Sequence, residues 1–98
     1  MNKQVIKSRI KQSLKGYHQV NNICRVSLFG SQLTKPRQKS DVDLLVEFTK
    51  PVGFFEMARL QQKLEEKLQK KVDIVTPAAL SKYFRKDVID SSELVYEK

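Results

Sequence analysis

Apolar positions along the chain change period several times, and each change marks an element. Ile6, Ile10, Leu14 and Tyr17 recur at helical spacing, which predicts an amphipathic helix over residues 2–20. Gly16 weakens its end and Asn21-Asn22 close it. Residues 23–29 then alternate: Ile23, Arg25 and Ser27 against Cys24, Val26 and Leu28. This predicts a first strand, with Cys24 as a small core residue. Gly30-Ser31 turns the chain into a short helical segment and a basic spacer containing Pro36. Residues 42–49 are close to continuously apolar through Val46, the pattern of a strand buried on both faces.

Pro51 and Gly53 stop that strand, and Met57, Leu60, Leu64 and Leu68 give residues 54–70 a helical stripe. Residues 71–75 predict a third strand, with Val72 and Ile74 on one face and Asp73 and Val75 on the other. Thr76-Pro77 reads as a helix opening, with Leu80, Phe84 and Val88 as the stripe of the last helix. Ser91-Ser92 breaks it, and Leu94-Val95-Tyr96 adds a short final strand. The sum is an α/β domain: a small mixed sheet with helices on its faces, one domain over residues 1–98.

Composition changes this picture in one respect, the placement of charge. The net charge is +8. Residues 1–40 hold nine Lys/Arg and no Asp or Glu, while residues 41–98 are nearly neutral. Such asymmetry suits an anionic partner, whether nucleotide, RNA or an acidic protein face; a basic surface serving solubility is the plainer alternative. Lys3, Lys7, Lys11 and Lys15 form a row at spacing four, readable as a solvated or a docking face. One cysteine, no apolar leader and no run of membrane-spanning length imply a cytoplasmic protein without membrane contact. His18 has no neighbouring ligand to make it a metal site.

The candidate chemistry lies at the mouth of the second strand. Asp41 and Asp43 are two apart, so they project from one face with Cα atoms roughly 7 Å apart. Two such charges repel and resist burial unless a cation joins them. Oxygen donors without His or Cys suit Mg²⁺, which binds through few carboxylates and substrate phosphates. Gly30 allows close approach of a phosphate, and backbone N–H groups at a helix start favour anions.

Gly30-Ser31, a nine-residue spacer, then Asp41-Val42-Asp43 opening an apolar strand, with Asp73 in a later strand, resembles the nucleotidyltransferase superfamily typified by DNA polymerase beta. The small size points to its minimal nucleotidyltransferases, the MntA-like antitoxins. The resemblance runs over nearly the whole chain. It implies the polymerase-beta-like fold and two Mg²⁺ ions bridged by Asp41 and Asp43, with Asp73 on the catalytic metal and able to take the proton of an attacking hydroxyl. It also implies that Gly30 and Ser31 hold the β- and γ-phosphates of a nucleoside triphosphate, most simply ATP. Lys35 and Arg37 could add positive charge there. The implied reaction is transfer of AMP to a hydroxyl. In the minimal family that hydroxyl is often a tyrosine of a HEPN-domain ribonuclease toxin, which makes the transferase an antitoxin.

The spacer departs from the family pattern at Gln32, where an Arg usually follows the Gly-Ser pair, and it lacks a further Gly. That favours, as an alternative, an antitoxin with a vestigial site that neutralises its partner by binding alone. A third reading, a nucleic-acid-binding domain using the basic first 40 residues, lacks any recognisable motif or stacking surface.

Overall fold

The computed structural model describes residues 3–29 and 42–98. In chain order these form α1 (Lys3–Lys15), β1 (Ile23–Phe29), β2 (Val42–Phe48), α2 (Phe54–Leu68), β3 (Val72–Val75), α3 (Lys82–Ser91) and β4 (Glu93–Glu97), with 3₁₀ turns at Val20–Asn22 and Pro77–Ala79. The four strands make one mixed sheet in the order β3-β2-β1-β4. β1 runs antiparallel to both β2 and β4, and β2 runs parallel to β3. The expected α/β architecture with a small mixed sheet is the one observed.

Both faces of the sheet are covered, which is why β2 reads as an unbroken apolar run. On one face, Ile10 and Leu14 of α1 and Leu60, Leu64 and Leu68 of α2 pack on Val26, Val42, Leu44, Val46, Val72 and Ile74. On the other, Val88 of α3 packs with Phe29 and Leu45, flanked by Val75 and Leu80. Full burial of such side chains is worth about 1.5–3 kcal/mol each, so these stripes carry the fold.

Several expectations are corrected. The first helix stops at Lys15 rather than continuing to residue 20. Gly16 and Tyr17 donate to the Ser13 and Leu14 carbonyls at 3.3 and 3.1 Å, tightening the last turn. Tyr17 remains buried, and its hydroxyl donates to Glu56. Burial first, then that hydrogen bond, push its pKa far up. In β1, a register shift between Ile23 and Arg25 leaves Cys24 out of the pairing. The bulge brings Ile23 onto the same core as Val26, although the two are an odd number of positions apart. Cys24 is half-buried rather than core, with Sγ 3.1 Å from Thr49 Oγ1.

The last helix begins later than Thr76-Pro77, which opens only a 3₁₀ turn, with no side-chain cap from Thr76. Ser81 is the cap of α3: its hydroxyl accepts from the Tyr83 N–H at 3.3 Å. With the helix so set, Val88 faces the core while Phe84 is 63% exposed, so Phe84 is not part of the stripe.

The lysine row also divides. Lys3 and Lys7 grip Glu93 of β4 at 2.7 and 2.9 Å, joining the first helix to the last strand. Hydrogen bonds from Lys3 and then Lys7 lower the Glu93 pKa from 4.5 to about 2. A depressed carboxylate stabilises the fold above its ordinary value and stops doing so as pH falls through the folded value. Glu93→Gln should therefore flatten the loss of thermal stability between pH 4.5 and about 2, and raised salt should shrink the difference because the pair is solvent-exposed. Melting curves of both proteins across that range check it. Identical acid limbs would leave the clamp without energetic weight.

Candidate functional site

The parallel pairing of β2 with β3 places Asp43 and Asp73 in register as partners. Adjacent strands lie about 4.8 Å apart, so the two carboxyl groups rise side by side from one face of the sheet. Phe29, at the end of β1, is the partner of Asp43 on the other side. Alternation puts Leu45 and Val75 on this same face, where they meet Phe29 and Val88 under α3. The site is thus the polar end of an apolar face: two acids at the starts of parallel strands, bordered by packed side chains.

Asp43 is 4% exposed. Asp73 is partly buried, and its pKa is raised, first by burial and then by the neighbouring Asp43 charge. Both causes penalise its ionised form, and a cation between the two carboxylates would reverse both. The donor set is oxygen only, which fits a hard divalent ion such as Mg²⁺. Among the described residues no cluster of three or more potential metal ligands occurs. The third expected carboxylate, Asp41, lies outside the described residues, as do Gly30, Ser31, Lys35 and Arg37. In sequence they follow Phe29 and precede Val42, and Phe29 is the register partner of Asp43.

Glu47 shares the face of Asp43 but serves the far end of the strand, 3.4 Å from Arg25. Arg25 also reaches Glu97 at 2.8 Å, so Glu47 belongs to a cross-strand ion group. His18 lies 3.6 Å from Glu56, away from the acidic pair. One contributor to the acidic pair had no sequence signal: Glu65 of α2 accepts the backbone N–H of Val72 at 3.0 Å, one residue before Asp73.

A family model described as Polymerase beta, nucleotidyltransferase, matches residues 8–98. The chain belongs to that family. Within the nucleotidyltransferases it resembles a protein of Methanocaldococcus jannaschii that bears the provisional name of a protein adenylyltransferase. The two are 39% identical over 57 residues, which cover 57% of this chain and 61% of that relative. The match thus spans less than two thirds of the relative's length. Among solved structures, one provisionally described as a minimal nucleotidyltransferase is 31% identical, with a TM-score of 0.72 and 94% of each chain covered. A chain in the structure of a tri-AMPylated Shewanella oneidensis HEPN toxin with its MNT antitoxin shares the fold. There the TM-score is 0.72 at 21% identity, over 97% of this chain and 72% of that one. Among the described residues no helix is long and apolar enough to cross a membrane.

Proposed function

We propose that this nucleotidyltransferase moves AMP from ATP to a hydroxyl, a tyrosine of a HEPN-type toxin, and so acts as its antitoxin in the cytoplasm. The observation that carries the reading is the register of Asp43 against Asp73 at the strand end that adjoins the Gly30-Ser31 segment in sequence. This domain would hold the acidic groups and phosphate contacts of the transfer site, with the acceptor protein completing its walls.

In the reaction, the acceptor oxygen attacks the α-phosphorus of ATP. The bond from that phosphorus to the β-bridging oxygen breaks, and pyrophosphate leaves with the electron pair. Asp41, Asp43 and Asp73 would hold divalent ions, which when bound neutralise the triphosphate and the charge building on the leaving group. Asp73, in register with Asp43, would also take the hydroxyl proton. Gly30 and Ser31 bind the β- and γ-phosphates, aided by Lys35 and Arg37. Asp43 and Asp73 sit on neighbouring strands paired in register, which sets their relative height.

Gln32 favours the alternative, neutralisation by contact alone, since an Arg commonly stands at its place in the family. Calorimetry of ATP binding with Mg²⁺ and with EDTA tests the metal-dependent reading. Binding that appears with Mg²⁺ and disappears in EDTA is expected. Equal affinity in both removes the metal from the account.

A further inference from the structure

Asp73 sits on an edge strand of only four residues, Val72–Val75. Short edge strands fray, yet transfer chemistry tolerates little displacement of a reacting group. What holds the start of β3 is visible on both of its sides. Toward β2, the Val42 N–H donates to the Lys71 carbonyl at 3.0 Å, beginning the parallel ladder. Alternation turns the next backbone N–H, that of Val72, to the open edge. There Glu65 Oε2 accepts it at 3.0 Å.

Glu65 is itself fixed by the end of α2. Its carbonyl accepts the Gln69 N–H at 2.7 Å, and Gln69 closes the helix in the left-handed conformation at φ 57°. One residue therefore ties the last turn of α2, through its backbone, to the first residue of β3, through its side chain.

We infer that Glu65 is a positioning residue for the acidic pair: its carboxylate caps the open edge of β3 and holds Asp73 in register with Asp43. The inference rests on the proposed role of Asp73 as a site residue. It assigns Glu65 no contact with nucleotide or acceptor. What Glu65 supplies is an acceptor oxygen at one backbone N–H, so Gln should replace it and Leu should not.

The test compares Glu65→Gln and Glu65→Leu with the unaltered chain, using the partner protein as acceptor. Glu65→Leu should lower kcat by about 100-fold, the scale of a 1 Å misplacement, with KM for ATP within about twofold because the phosphate contacts are untouched. Glu65→Gln should stay within about threefold of the unaltered kcat, since it keeps an acceptor oxygen. Wild-type kcat in the Leu variant, an equal fall in both variants, or a parallel rise in KM would each overturn the inference.

A second readout needs no transfer. Titrated with Mn²⁺ alone, the Leu variant should bind the ion more weakly and the Gln variant as the unaltered chain does. If the unaltered chain transfers nothing, the proposed reaction falls, and the Mn²⁺ titration alone decides the positioning role: unchanged affinity in the Leu variant overturns it. Amide exchange at Val72 covers a Leu variant that fails to fold. The N–H should be protected in the unaltered chain, and fast exchange there would contradict the cap.

Discussion

Asp43→Asn is expected to lower AMP transfer by about 1,000-fold or more, the scale on which sites lose a principal charge-stabilising group, while the protein melts no lower than the unaltered chain. Asp43 is buried at 4% exposure opposite a second carboxylate. Replacing one of the two with a neutral isostere removes a repulsion that raises the Asp73 pKa. The same change removes an anionic oxygen from the residues that would hold a metal. Function and stability therefore part company at this residue, which is the behaviour of a site rather than of a core. Mg²⁺ should raise the melting temperature of the unaltered chain by mass action and leave that of Asp43→Asn nearly unmoved. Complex formation with the partner should survive, since protein interfaces commonly bury about 800 Å² on each side and one isosteric change touches little of that. A large fall in melting temperature would instead make Asp43 a structural residue.

Leu64→Ala should show the opposite pattern. Leu64 is 1% exposed on the face of α2 that packs with α1 on the sheet. Leucine-to-alanine changes at such places cost about 2–5 kcal/mol. For a domain near 100 residues each kcal/mol lowers the melting midpoint by about 4–8 °C. A drop of at least about 8 °C is expected on that scale. Below the new midpoint, transfer per folded molecule should stay close to normal, because the acidic pair lies on the opposite face of β2 and β3. A shift under about 3 °C would mean that α2 contributes less to the core than its burial implies.

Much of this was legible in the sequence because period and chemistry agreed. The unbroken apolar run of β2 foretold a sheet covered on both faces, and the parity of Val72 and Ile74 against Asp73 and Val75 set Asp73 on the face away from the larger core. What the sequence could not carry depended on contacts between distant residues. Lys3 and Glu93 are 90 positions apart, so half of the lysine row being spent on β4 had no local sign. The bulge at Cys24 is set by pairing with β2, and strict alternation misassigned Cys24. Thr76-Pro77 and Ser81 both carry helix-opening chemistry. Only the packing of Val88 on Leu45 and Phe29 decides that Ser81 caps the helix, and that decision turns Phe84 outward. Glu65 is one of several charged residues along α2, and its partner is a backbone group that no side-chain pattern reveals.

On the proposed function, the paired aspartates perform AMP transfer rather than mark a vestigial site. Intact-mass measurement of the proposed partner toxin after incubation with this chain, ATP and Mg²⁺ tests it most directly. The toxin should gain the mass of one or more AMP units with the unaltered chain and none with Asp41→Asn/Asp43→Asn, although both form the complex. A toxin that is silenced with no gain in mass, equally by the unaltered chain and by the double variant, would contradict transfer and leave neutralisation by contact.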